Sequence, residues 1–359
     1  MSAGLEPLAP GILDHVTLGE GEWKGAPSPT GTLRTGCTVV VCTRNRPALL
    51  SRFLDSLAEQ SPHPAQLVIV DSSLDTQSRR MLEAHPRRAG LADRVDYCRV
   101  DASLTGVTRQ RNLGLSLVET DLAAFFDDDI VLLSGCLAAL ERAHRAGADL
   151  VGVGAHIENE PAAPSPIWRL RRLLFVVPTL APGRYFGSGV STPWGFAGVT
   201  DALVEGDWLS GGAVMWKTGA ARATGFAEGL DGYGMGNDLE FSLRIARLGR
   251  QALAGDARLL HLREDGGRPD PRRLGYEGLR NRLHIHRIGG GDRMLLKLWF
   301  AYAVLVETAL QALNLLRPGR SRDTWQYLRG VGRFLRETLQ RGPRAPAHVA
   351  PEERAHVTL

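Results

Sequence analysis

The stretch LAAFFDDDIVLLSG, Leu122 to Gly135, sets three carboxylates directly behind an apolar run. Asp127, Asp128 and Asp129 repel one another, and an apolar strand offers them no counter-charge. Hard oxygen donors gathered in a short loop suit a hard divalent cation, Mg²⁺ or Mn²⁺. Mg²⁺ usually takes only one or two carboxylates and completes its shell with phosphate oxygens. The triplet therefore points to a di- or triphosphate substrate. The competing reading is a solvated acidic turn capping the next helix, where carboxylates favour the N-terminus. Apolar residues on both sides of the triplet favour the site.

The elements that would position these groups are visible as patterns. TVVVCT, Thr38 to Thr43, is a β-branched run expected as a buried strand. Pro47 suits the first turn of a helix that places Leu50, Phe53, Leu54 and Leu57 on one face. LVIVD (Leu67 to Asp71), RVDYCRV (Arg94 to Val100) and LAAFF (Leu122 to Phe126) read as further strands. GVTRQRNLGLSLVE reads as a helix beginning near Thr105. Strands alternating with helices imply a mainly parallel sheet with helices on both faces, an α/β class. Ligands of such sheets bind beyond the carboxyl ends of the strands. Thr43, Asp71 and Asp127 each end a strand, so the fold would collect them in one crevice. From 155 to 205 the pattern loosens into Pro- and Gly-rich loops. DWLSGGAVMW, Asp207 to Trp216, reads as a turn and a strand. GYGMGNDLEFSLRIARLGRQ reads as a Gly-rich loop opening a helix, and RLLH as a last short strand ending at His261.

These motifs, in this order, resemble family 2 glycosyltransferases of the GT-A fold. The resemblance runs from about Thr38 to His261. It rests on VVVCTRNRPALLSRFLDSL, VIVDSS, GVTRQRNLGL, FFDDDI, DWLSGGAVMW and GNDLEFSLRIARLG. It implies an inverting transfer of a sugar from a nucleotide diphosphate sugar to an acceptor hydroxyl. It implies donor-nucleotide contacts at Thr43, Arg44, Arg46, Asp71, Arg111, Asp127 and Asp128. It implies metal ligands at Asp127, Asp129 and His261. On the acceptor side, Trp208 suits stacking on a sugar or a place in the core, Gly211 and Gly212 suit close approach of backbone to donor or acceptor, and Asn237 adjoins Asp238. Asp238 matches the family's catalytic base. The family often has Glu-Asp where this chain has Asn237-Asp238. Glu240, two residues on, is read as structural. A nucleotidyltransferase would carry a Gly-rich triphosphate loop after the first strand, where this chain has TRNRPALL. A non-catalytic scaffold would not need Asp127, Asp129 and Asp238 together.

The 359 residues suffice for one large domain and an appendage. The expected organisation is an irregular extension over 1–36, a GT-A domain over 37–268, an amphipathic helical region over 269–340 and a disordered tail over 341–359. Cys37, Cys42, Cys98 and Cys136 match no zinc ribbon and are expected as reduced thiols. The first 36 residues hold no apolar run of the signal-peptide kind, so a cytoplasmic location is expected. Net charge is +4, yet residues 280–347 carry thirteen Arg/Lys against four Asp/Glu. A basic end on a mildly acidic body suggests an anionic surface as its partner and no nucleic acid. LLKLWFAYAVLVETALQALNLL, Leu295 to Leu316, is interrupted by Glu307, and Glu307, Gln311 and Asn314 form a polar stripe at helical spacing. With a second helix from Arg322 to Gln340 it is expected as a basic amphipathic hairpin lying on the cytoplasmic face of the membrane. That placement suits a glycan or lipid-linked acceptor, and an oligomer is compatible with it.

Overall fold

The computed structural model describes residues 12–18, 34–230, 234–263 and 270–341. Its strands are β1 (Ile12–Leu18), β2 (Arg34–Thr43), β3 (Gln66–Asp71), β4 (Arg94–Val100), β5 (Thr120–Asp127), β6 (Ile130–Leu132), β7 (Leu150–Ile157), β8 (Leu203–Glu205), β9 (Ala213–Lys217) and β10 (Arg250–His261). Its helices are α1 (Pro47–Leu57), α2 (Gln77–Glu83), α3 (Val107–Leu117), α4 (Cys136–Ala146), α5 (Pro166–Leu173), α6 (Thr218–Thr224), α7 (Asn237–Ile245), α8 (Pro271–Ile288), α9 (Met294–Ala312) and α10 (Ser321–Arg341).

Among the described residues one sheet runs in the order β1-β4-β3-β2-β5-β9-β7-β10-β6, with β8 also on β10. β4, β3, β2 and β5 are mutually parallel. β9 is antiparallel to β5 and β7, and β7 runs parallel to β10. Chain order moves outward from β2 to β3 and β4, then returns to the other side of β2 with β5. That reversal is the switch point at which an open α/β sheet leaves a crevice. The connecting helices lie on opposite faces as this requires. Leu50, Phe53 and Leu54 of α1 and Leu137 and Leu140 of α4 join one apolar core. Leu115 of α3 and Phe241 and Ile245 of α7 join the other. Each such side chain contributes about 1.5–3 kcal/mol by leaving water. The four cysteines are free, as expected from their spacing.

Three features depart from the patterns in the sequence. Within the stretch expected to be irregular, Ile12–Leu18 pairs antiparallel with β4 and extends the sheet edge. The last strand is twelve residues long, not four. Its early part, RQALAGDA, is rich in Ala and Gly, which carry little strand preference of their own. The C-terminal region also opens with a helix the pattern did not single out, α8, capped by Asp270 accepting from Arg272 and Arg273 N–H. Leu279 of α8 packs with Phe300 of α9 and Val331 and Phe334 of α10. The tail expected to be disordered lies, beyond Arg341, outside the described residues.

Candidate active site

The crevice holds a cavity of about 1430 Å³. Thr43, Arg44, Arg46, Arg111, Asp127, Asp128, Asp129, Trp208, Gly211, Gly212, Asn237, Asp238 and His261 all line it. Asp71 does not. It is fully buried and accepts from the Tyr97 hydroxyl at 2.6 Å and from the Ser73 N–H at 2.7 Å. Its carboxylate thus closes the end of β3 from within, which corrects the expectation of an open nucleotide contact there. Ser73, two residues on, and Tyr97 of β4 supply the donors that hold the carboxylate there.

Strand pairing assembles the metal-type group. Asp127 ends β5, and Asp128 and Asp129 form the turn into β6. β6 pairs antiparallel with β10, with His261 opposite Ile130. The Leu262 N–H donates to the Asp129 carbonyl at 2.8 Å. Ligand atoms of Asp127, Asp129 and His261 therefore lie within 4.8 Å of one another. Asn159, which the sequence did not single out, fixes the third member. Its side-chain amide donates to the His261 carbonyl at 2.7 Å, and its oxygen accepts from the His261 N–H at 3.0 Å. An asparagine after a strand carries no pattern that marks it for this.

The charges are balanced differently at each aspartate. Asp128 stands apart from the three-ligand group. Its oxygens accept from the Thr43 hydroxyl at 2.7 Å and from Arg46 at 3.3 Å. Burial still pushes its carboxyl up to about 6, with Thr43 and Arg46 opposing and the flanking aspartates assisting. Burial acts the same way on Asp129, but the His261 contact at 3.2 Å outweighs it and holds the carboxyl below its ordinary value. That same hydrogen bond raises His261 above the ordinary histidine range. Two carboxylate oxygens and an imidazole at this spacing could hold a divalent cation in place of the hydrogen bond between Asp129 and His261.

Arg111 joins the two halves of the cavity. It donates to Asp127 at 3.0 Å and to Asn237 at 2.7 Å, with its guanidinium near the Phe226 ring. Asn237 and Asp238 open α7 after Gly236, whose φ of +77° suits glycine. The Leu239 N–H donates to Asp238 at 2.8 Å. Burial raises the Asp238 carboxyl, with the Leu239 N–H and Arg111 pulling it down. A Cβ at Gly212 would collide with the Asp127 carboxylate, and one at Gly211 would crowd Arg111 and Asp238. The glycine pair thus admits these side chains, a nearer cause than the expected approach of a substrate. Glu240 is fully buried and accepts from Nε and one terminal nitrogen of Arg244, each at 2.7 Å, in keeping with a structural part. Other lining residues carried no signal in the sequence. Gln110 donates to the Thr43 and Val70 carbonyls, and Glu160 pairs with Arg263 at 2.8 Å.

Residues 38–187 match the family model for glycosyl transferase family 2. No curated protein matches the chain. Among solved structures, S. aureus TarS 1-349 is 14% identical, with a TM-score of 0.52 over 85% of this chain and 82% of that one. GalNAc-T7, solved with UDP, GalNAc and Mn²⁺, is 15% identical, with a TM-score of 0.57 over 86% of this chain and 57% of that one. At such identities the likeness is one of fold. Residues 38–187 thus resemble glycosyl transferase family 2, and the mainly parallel sheet with its cavity at the switch point has the GT-A fold.

Proposed function

We propose that the protein is a metal-dependent, inverting glycosyltransferase that moves a sugar from a nucleotide diphosphate sugar to an acceptor hydroxyl. The observation that carries this reading is the division of carboxylates within one cavity. Asp127 and Asp129 stand with His261, while Asp238 stands apart on α7, and Arg111 bonds to Asp127 and Asn237 between them. Inversion needs that division, because the base must act on the acceptor side while the leaving diphosphate is neutralised on the other. Asp127, Asp129 and His261 would hold Mg²⁺ or Mn²⁺, which supplies positive charge to a leaving diphosphate when bound. Thr43, Arg44 and Arg46 line the donor side and Trp208 the acceptor side. Asp238, raised by burial, takes the proton from the acceptor hydroxyl at its free carboxylate oxygen. GalNAc-T7 was solved with UDP and Mn²⁺, which supports a nucleotide and a metal here. The expected setting is cell-surface polysaccharide or lipid-linked glycan synthesis on the cytoplasmic side of the membrane.

A thermal-shift panel tests this. UDP, GDP, dTDP, ADP and CDP are each added with and without Mn²⁺ to wild type and to Asp129→Ala. Binding to the folded state alone raises apparent stability by about 2.7 kcal/mol at a hundredfold excess over Kd. The expected result is a Mn²⁺-dependent shift with one nucleotide that Asp129→Ala abolishes. No shift with any nucleotide would favour a non-catalytic scaffold.

A further inference from the structure

Helix α9 has two faces, and they are turned opposite to those of an ordinary soluble helix. Its polar stripe of Glu307, Gln311 and Asn314 is half-buried. Glu307 accepts two hydrogen bonds from Arg171 of α5, each at 2.7 Å. Phe300 and Ala303, on the same side, are buried. On the other side Leu295, Leu298 and Leu305 are 79%, 59% and 68% exposed, and Leu316 continues the line at 83%. These positions fall on one stripe at helical spacing.

The end of α5 adds to this face. Leu174 and Phe175 are tied alongside the middle of α9 by their carbonyls, which accept from the Tyr302 hydroxyl and the Trp299 indole at 2.8 Å. Leu173 and Phe175 are nevertheless 72% and 76% exposed. Phe175 also sits at φ +53°, which a bulky residue adopts at a cost. Water gives no return for a strained, exposed phenylalanine.

Charge indicates what covers the face. Arg172 on α5, Arg293 and Lys297 at one end of α9, and Arg317 and Arg320 beyond the other are all exposed. Asp292 and Asp323 are the exposed acids at those two ends of α9. An apolar face edged by cations fits a bilayer with anionic headgroups. A second copy of the chain would bring the same cations against one another. Met294–Leu316 is long and apolar enough to cross a membrane by length and composition. Phe300 packs with α8 and α10 and Glu307 is tied to Arg171, so one side of the helix is held by the protein.

The covered side of α9 reaches the cavity. Gly187 packs against Leu296 and Trp299, and Gly189 against Phe300. Arg282 of α8 holds the Ser188 and Gly189 carbonyls at 2.8 and 3.0 Å. The same loop continues to Ser191, Pro193 and Trp194, which line the cavity.

We infer that the α5–α9 face lies flat on an anionic bilayer and that the acceptor is a membrane-embedded amphiphile offering its hydroxyl at headgroup level. The surface stands on its own geometry, whereas the word acceptor rests on the glycosyl-transfer reading. This differs from a hairpin of α9 and α10 in pairing α9 with the end of α5; α10 buries Thr324, Val331 and Phe334 while exposing Trp325, Leu335 and Leu339.

The test is co-sedimentation of the full chain with vesicles of phosphatidylcholine alone or with added phosphatidylglycerol. Wild type is compared with Leu298→Asp/Leu305→Asp and with Arg172→Glu/Lys297→Glu. Expected is binding to the anionic vesicles only, weakened about tenfold or more in each variant. The nucleotide-induced thermal shift is read in parallel, so a failed transferase reading is seen separately from a failed membrane reading. Unchanged vesicle binding in both variants would overturn the surface. So would a wild-type dimer in sedimentation velocity that Leu298→Asp/Leu305→Asp converts to monomer without any vesicle binding. If the face binds lipid but a short-chain soluble acceptor is used as well as its long-chain form in vesicles, the acceptor class is overturned.

Discussion

Asp128 and Leu305 both sit on the unexpected side of the protein surface. Asp128 is a carboxylate at 5% exposure, and Leu305 is an aliphatic side chain at 68%. In the cavity the exception is matched by neighbours: Thr43 and Arg46 for Asp128, His261 for Asp129, Arg111 for Asp127. On α9 it is matched by nothing among the described residues, while the polar residues of the same helix are the ones covered. The contrast separates two kinds of incomplete site. A buried charge needs donors at fixed angles, so the protein must build most of its surroundings before a ligand arrives. An exposed apolar stripe needs only a non-directional partner, so it can wait uncovered.

The largest effect that could break this contrast is catalytic. Asp238→Asn should lower transfer by about 10²–10⁴-fold while leaving the Mn²⁺-dependent nucleotide shift in place. Full activity in that variant would remove Asp238 as the base and with it the division of the carboxylates. Next in size is a buried acid outside the reaction. Burial opposes ionisation of Glu240, but the His284 and Arg244 contacts outweigh it and keep its carboxyl low. Its contribution to stability is therefore present above its unfolded value and fades as pH falls through the lower folded one. Glu240→Ala should cost about 3 kcal/mol in urea unfolding at neutral pH, because it removes the carboxylate partner of Arg244 and leaves that charge only the Thr224 and Gly225 carbonyls. A loss below about 1 kcal/mol would show that the pair is dispensable.

The pH dependence sharpens the contrast further. Because burial raises Asp238, its base form is lost at a pH above the ordinary aspartate value of about 3.9. The acid limb of the rate profile should therefore lie above that value. Calorimetric titration of Mn²⁺ and nucleotide over the same range separates this limb from protonation of His261. The smallest effect is on α9. Leu305→Ser should change unfolding free energy by no more than about 0.5 kcal/mol, since that side chain is already in water. A larger loss would mean that Leu305 packs on the protein.

Much of the cavity was legible because its signals are local. TVVVCT and LVIVD declare buried strands by composition, and FFDDDI marks a strand end loaded with charge. Asp127 and Asp129 were found that way, whereas Asp238 and His261 came from the family resemblance; all four line one cavity. Asn159 was not legible, since its role depends on a contact across 102 positions of sequence. Asp71 misled for a related reason. A strand-end aspartate reads the same whether it faces a crevice or the hydroxyl of Tyr97, 26 positions away.

The periodicity of α9 shows where sequence alone stops. Spacing determined that Leu295, Leu298 and Leu305 share one face and that Glu307, Gln311 and Asn314 share the other, because helix geometry is local. Which face turns to solvent was decided by Arg171, held on another helix 136 positions away, and by the packing of Phe300 on α8 and α10. The carboxyl ends of β2, β3 and β5 were likewise visible in composition, whereas β1, most of β10 and the order of the sheet were not. The meeting of Asp127, Asp129 and His261 was decided by the register of β6 on β10, a pairing between segments that no short-range pattern couples.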